Sequence, residues 1–454
     1  MVRRSDKCRV LRLLSSGFMK VSSSFVVRQK SLEVHEKSSI VSGSVALNIS
    51  LMSVAIGGAL FWAIAARISS SKNLGQVAAL SSSINFLVLL AAGALVPFVV
   101  RYCSGPTRAE RALHNRVLLF ASCTTGIGAL LMAFICSTTN TETFRPIGSL
   151  LGAITFAVVA MGSALVILVE ARFLSEKRYR WIVGRSILTS VLSVGLVASY
   201  HRGSSPLALF IATSGVTAVS GLAVWLASDF GDKHKFVMSP LPNVRGEIVR
   251  YLSMTWAGSL LGRSAMAFFP LFVAIKVGPA EYAKFFIAWN IAIIMFLVVQ
   301  NPGFALLADG GRRSLFEKQT RHALLLGTIL SGVMFATSRV STPLVHRVFG
   351  EEYIDSVKVL QVFIFGTLFI AIYAVANAVM QVRNLPVGIL GLPLLQTAGI
   401  YIPLMFTPHL TMMKAALALL IGVTISGGCG AIALMTLRGR SFAPFSSPPL
   451  RSTE

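Results

Sequence analysis

Apolar runs of roughly twenty residues alternate with short polar breaks along most of this chain. A helix needs roughly 20 apolar residues to cross a hydrocarbon core of about 30 Å. On that length the pattern predicts spans over residues 43–66, 77–100, 116–136, 147–169, 181–200 and 206–227. A second set follows over 252–276, 283–308, 322–345, 357–380, 386–407 and 411–437. The ninth is the weakest, because Arg339, Pro343, His346 and Arg347 interrupt its second half. The expected fold is an all-α polytopic membrane protein of about 12 transmembrane helices in two six-helix lobes. The longest internal polar break, 228–251, separates a lobe over 43–227 from one over 252–437, with a basic leader over 1–42 and a tail over 438–454.

Charge changes the picture next. The chain carries 41 Lys and Arg against 17 Asp and Glu, a formal net charge of +24. In a soluble protein that balance would point to nucleic acid. Here charged residues are only 13% and mean hydropathy is +0.74, so the solvent for most of the chain is lipid and no nucleic-acid partner is expected. The cations cluster in alternate gaps. With the N-terminus inside, 29 fall on the cytoplasmic side and 9 on the outer side. The positive-inside rule therefore places both termini in the cytoplasm, and an even number of spans agrees. Residues 1–42 lack the apolar stretch of a secretory signal and read as a disordered cytosolic leader in contact with anionic lipid. Met1 and Met19 both remain as starts. The five cysteines show no metal or redox spacing, so neither a metal nor a cofactor is expected.

The halves echo each other. In each, a basic inner stretch after the second span ends in an arginine, Arg116 and Arg321. An even number of spans per half makes the repeats parallel, with a site between the lobes near mid-bilayer. Gly57-Gly58, Pro97, Pro270 and Pro302 fall in the first two spans of each half, where they loosen helix backbone. No Asp or Glu lies deep in a span, and the first outer loop has none. That argues against proton coupling through a buried carboxylate and against a membrane glycosyltransferase or polymerase. No catalytic set of side chains is present, so no enzyme is expected.

Three arginines remain inside spans. Arg185 is four residues into span five, close enough for its side chain to snorkel to water, and Arg339 is toward the outer end of span nine. Arg263 lies 11 residues into span seven, about 16 Å at ~1.5 Å per residue, beyond the reach of snorkelling. An unpaired cation there costs at least about 2.5–3.5 kcal/mol, so a hydrated cavity is expected around it. Its planar donor fork suits phosphate oxygens. Asn48, Asn85, Asn290 and Asn301 are candidate liners of the same cavity, with Arg67, Arg185 and Arg339 as secondary candidates. Intramembrane asparagines also serve as interhelical hydrogen-bond partners.

Three segments resemble a known group. Lys276-Val277-Gly278-Pro279-Ala280-Glu281-Tyr282-Ala283 is similar to the loop after helix seven of polysaccharide exporters in the multidrug/oligosaccharidyl-lipid/polysaccharide (MOP) superfamily. Val348-Phe349-Gly350-Glu351-Glu352-Tyr353, followed by Val357, Leu360 and Gln361, resembles the entry to helix ten of the same proteins. Ala66-Arg67 with Gly75 and Ala78 resembles their helix one–two turn. The usual glycine near Ala283 is replaced, and Thr138 to Arg145 lacks the Phe-Gly-acid-acid-Tyr pattern. The resemblance spans about 40–437 and implies a MATE-like (MOP) fold and a Wzx-type flippase for O-antigen or exopolysaccharide. Its substrate would be an isoprenoid-diphosphate-linked oligosaccharide, moved from the cytoplasmic to the outer leaflet of the bacterial inner membrane. A polysaccharide polymerase or export machinery would be its protein partner. The rivals are a multidrug and toxin extrusion antiporter, which would carry a buried acid in its first half, and a flippase for the peptidoglycan lipid precursor.

Overall fold

The computed structural model describes residues 49–93, 95–103, 108–139, 141–231, 265–309, 316–383 and 385–437. Asn48 and Arg263 lie outside the described residues, as do the leader, the inter-lobe break and the tail. Hydropathy and helix geometry account for what is described. The first bundle comprises α1 (Ile49–Ile68), α2 (Ser71–Gly93), α3 (Arg108–Thr139), α4 (Leu150–Ser175), α5 (Tyr179–Ser199) and α6 (Pro206–Ala227). The second comprises α7 (Ala265–Val277), α8 (Pro279–Asp309), α9 (Phe316–Phe349), α10 (Ser356–Val382), α11 (Pro386–Met405) and α12 (Met412–Leu437). Among the described residues ten helices are long and apolar enough to cross a membrane, and α7 and α11 are shorter apolar helices. The chain is a multi-pass membrane protein.

Several boundaries moved for identifiable reasons. The first inter-helix turn is short, and α2 begins at Ser71 rather than near 77 because the Ser70 hydroxyl accepts from the Asn73 backbone N–H and caps it. The charged half of α9 does not break it. The helix runs unbroken for 34 residues, about 51 Å at ~1.5 Å per residue, so its ends stand beyond a hydrocarbon core of about 30 Å. Arg339 is exposed there. The expected loosening is real only near Pro97, where α2 passes through a π turn (Leu89–Gly93) before a short helix (Val96–Tyr102). Gly57-Gly58, Pro270 and Pro302 all lie in unbroken helix. Gly57 is a packing site, since a Cβ there would sit 2.4 Å from Cβ of Ser190 on α5. A second π turn, Ile211–Gly215 in α6, carries no proline signal.

The two bundles are held differently. Hydroxyl pairs link the first: Ser50 to Ser186 at 2.6 Å, Thr189 to Ser220 at 2.6 Å, and Ser190 donating to the Ser53 carbonyl at 2.9 Å. Lipid offers no hydrophobic force between helices, so such polar contacts and close packing take over. The second is organised around Phe269, Phe285, Trp289, Phe296 and Phe363, in edge-to-face and stacked contact across α7, α8 and α10. Where α11 crosses α12, glycines let the backbones meet: a Cβ on Gly399 would be 2.7 Å from Cα of Gly422. Outward-facing Leu119, Phe120, Ile127 and Phe134 on α3, and Leu325, Ile329 and Val333 on α9, give the surface its lipid-compatible character. Burial ranks the helices: 72% of the most apolar stretch of α2 is inside the protein, against 17% for α9. α2 is therefore central and α9 peripheral.

Candidate functional site

The bundles meet along a seam in which α2 packs on α7 and α8. Its tightest point is Gly75, where a Cβ would lie only 1.7 Å from the carbonyl oxygen of Pro279. Pro279 opens α8 directly after Gly278, whose φ of +89° is a left-handed conformation that glycine adopts without strain. One turn on, the buried Tyr282 hydroxyl and the Ser82 hydroxyl lie 2.7 Å apart. Trp62 of α1 stands edge-on to Phe286 of α8 at 4.7 Å, and Phe86 of α2 meets Phe268 of α7 at 5.1 Å. Tyr282 belongs to the Lys276–Ala283 motif, but neither it nor Ser82 stands among the site residues that the sequence points to. A tyrosine one turn inside an apolar helix was the available signal, since a buried phenol requires a partner.

Beyond the seam, at the end bearing the α1–α2 and α7–α8 turns, the contacts cross over. Arg67, at the end of α1, donates from Nε to the Val348 carbonyl at 3.1 Å and from Nη2 to the Arg347 carbonyl. These carbonyls lie at the C-terminal end of α9, where a cation is favoured by the unsatisfied acceptors and the helix dipole. Reciprocally, the Thr143 hydroxyl, in a 3-10 turn (Glu142–Ile147) between α3 and α4, donates to the Ala274 carbonyl of α7 at 3.3 Å. The first hairpin of each bundle thus touches the corner after the third helix of the other. In the second bundle that corner is Gly350, with φ +106°, followed by a 3-10 turn (Glu351–Tyr353) whose Tyr353 is buried.

The same end carries an exposed ion pair, Lys72 with Glu142, while Gln76 donates to the Glu142 carbonyl at 2.7 Å. The Lys72 hydrogen bond, then its charge, hold the Glu142 carboxyl below its ordinary value of 4.5. An acid depressed in this way contributes stability above its unfolded value and loses it as pH falls through the folded one. The thermal midpoint should therefore be insensitive to this pair from neutral pH down to about 4.5 and fall below that. Glu142→Gln should flatten that acid limb, read as midpoint against pH; an identical limb in both proteins would reject the assignment.

The remaining candidates fall in distinct places. Asn85 is exposed on α2, three residues from Ser82 and next to Phe86, on the side turned to the other bundle. Asn290 is half-buried and donates to the Phe286 carbonyl at 3.0 Å, one turn beyond Phe286 and two beyond Tyr282 along α8. Asn301 is exposed and lies three turns further along. Asn85 therefore lies among the seam contacts of α2, between Ser82 and Phe86, while Asn290 and Asn301 lie further along α8 from the latched end. Arg339 is not among them. Arg185 is the correction: it does not reach water by snorkelling. It is 7% exposed, and its Nε donates to Glu170 of α4 at 2.7 Å. The α4–α5 turn folds back near residue 177, so positions 170 and 185 face one another across the hairpin.

Two bundles joined by an α2–α8 seam, with crossed contacts at one end, define the class, an all-α polytopic membrane protein, and the solved structures it superposes on give the fold as MATE-like. No protein-family model matches the chain, and no curated protein matches it. Solved structures do. A lipid II flippase MurJ in an inward closed conformation superposes with a TM-score of 0.65 at 11% identity, covering 87% of each chain. A multidrug resistance MATE transporter of the MOP superfamily, inward-facing, gives 0.64 at 18% identity over 87% of this chain and 98% of that one. An outward-facing multidrug resistance MATE transporter gives 0.54 at 18% identity over 88% and 95%.

Proposed function

We propose that this chain is a MOP-type membrane transporter that flips an isoprenoid-diphosphate-linked oligosaccharide from the cytoplasmic to the outer leaflet, by alternating access of lobes 43–227 and 252–437. The observation that carries the reading is the one-ended seam. Among the described residues, contacts between the lobes include Arg67, Gly75, Thr143, Ser82 and Phe86, while Asn290 and Asn301 lie further along α8 and Asn85 borders the last of these contacts. Such an arrangement suits rocking about a cleft that opens at the other end. On the topology read from the basic clusters, the latched end is the outer one and the cleft opens to the cytoplasm of a bacterial inner membrane. A diphosphate cannot enter lipid unaided, and Arg263, mid-span in the sequence just before α7, is the cation that would meet it.

The test is complementation of a flippase-deficient strain. Arg263→Ala at normal protein level should lower complementation at least about tenfold, the scale of one lost charge-assisted contact. Full complementation by the variant would remove Arg263 from the mechanism. A second reading, a multidrug and toxin extrusion antiporter, draws support from the superposition on such a transporter. Against it, Ile49–Ala66 of α1 and all of α2 contain no acidic residue to couple cation movement. Drug resistance conferred without complementation would favour that antiporter.

A further inference from the structure

Away from the seam, the second lobe carries a cavity of about 510 Å³ lined, among the described residues, by α9, α10 with its cap Arg383, and α12. Its two ends differ in chemistry. At the basic end of the bundle it is bordered by Arg321, Arg383 and Glu317. Further in it is lined by Leu324, Ile372, Val379 and Leu434. From Arg321 to Thr328 on α9, and from Arg383 back to Ile372 on α10, the cavity follows the helices for about 10–16 Å at ~1.5 Å per residue, the depth of one leaflet. Arg383 is fixed in place: as the C-cap of α10 it donates from Nη1 to the carbonyl of Leu437, the last residue of α12, at 3.0 Å. Arg321, one turn into α9, is exposed. Lys318 precedes it, and Arg438 follows Leu437 in the sequence.

We propose that this cavity is a binding site for one anionic phospholipid of the leaflet on the basic side, with the phosphate between Arg321 and Arg383 and an acyl chain along Leu324, Ile372 and Val379. A cationic mouth at headgroup level above an apolar trench matches an amphiphile in both charge and polarity. The chain's own tail is a poor occupant, because Arg438, Arg440 and Arg451 would be repelled at the same mouth. Glu317 opposes the anion, so the preference rests on two arginines less one carboxylate. Because its described lining comes from α9, α10 and α12, the site stands apart from the α2–α7–α8 seam and does not depend on the transport reading.

The experiment uses the full-length protein, stripped of lipid in detergent and reloaded from mixed micelles of phosphatidylglycerol and phosphatidylcholine with identical chains, with retained lipid counted by native mass spectrometry. One phosphatidylglycerol should be retained in preference to phosphatidylcholine by about fivefold or more, the effect of one net basic residue near an anionic headgroup. Arg321→Gln, on the exposed rim, should lower that preference by about fivefold. Ile372→Trp, which fills the trench, should abolish retention of either lipid while the thermal midpoint is preserved. Excess inorganic phosphate should leave retention unchanged. Equal retention of the two lipids by the wild type, an unaltered preference in Arg321→Gln, or displacement by phosphate alone would each overturn the proposal. Undiminished retention by a folded Ile372→Trp protein would do the same.

Discussion

Gly75→Ala is expected to open the latched end of the protein, raising labelling of a seam cysteine from that side of the membrane by about 10–100-fold. The magnitude follows from what the added methyl meets. A Cβ at position 75 would be 1.7 Å from the Pro279 carbonyl oxygen and 2.5 Å from its carbonyl carbon. Both are backbone atoms at the rigid start of α8, so no side chain can rotate away. Overpacking a well-fitted contact costs typically about 1–3 kcal/mol, and each ~1.4 kcal/mol is tenfold in a conformational equilibrium. That cost is borne only when the seam is closed, so the population shifts toward separated lobes rather than toward unfolding. The readout is a Ser82→Cys protein lacking its native cysteines, treated with a membrane-impermeant maleimide, with and without Gly75→Ala. Gly58→Ala is the control, because a Cβ there has no neighbour within 4 Å. Equal labelling of the Gly75 and Gly58 variants would show that α2 and α8 do not form the closing contact.

Why the seam had to be seen rather than read is clear from its parts. Helix positions were legible because apolar length is set by the bilayer, and so the order of spans was recovered along the chain. Polar Ser71-Lys72-Asn73 disguised the start of α2, since residues that favour loops by composition here form a capped first turn. Arg339 and Arg347 made α9 look broken, although a helix longer than the bilayer simply carries its charges outside it. The latch is harder still. Arg67 was a secondary candidate as a cation, but its partners are main-chain carbonyls of Arg347 and Val348, and a carbonyl at a helix end has no signature in residue identity. Gly75 likewise means nothing until the backbone opposite it is known. The asparagines were legible as polar groups in apolar helices. Their places relative to the seam followed only once Tyr282 and Ser82 fixed where α2 meets α8.

Arg185→Ala should be among the most destabilising single replacements in the first lobe, by about 2–4 kcal/mol, and it separates two physical accounts of the same residue. If Arg185 merely snorkelled, its loss would fall within the roughly 0.5 kcal/mol typical of surface changes. Instead its side chain is 8% exposed and holds Glu170, whose side chain is 27% exposed, across the α4–α5 hairpin. Breaking a buried pair from one side typically costs about 3–5 kcal/mol, because the remaining charge is left desolvated. The partial exposure of Glu170 shifts the expectation down by about 1 kcal/mol from that range. The thermal midpoint in detergent should drop by about 5 °C or more. Replacing both partners by leucine should restore much of the loss, since two apolar side chains in an apolar interface leave no charge unpaired. A single variant as stable as the wild type would mean that Glu170 finds water without its partner. A double variant no better than the single would mean that Arg185 acts through packing of its aliphatic stem, and that the ion pair between α4 and α5 is incidental to the lobe's stability.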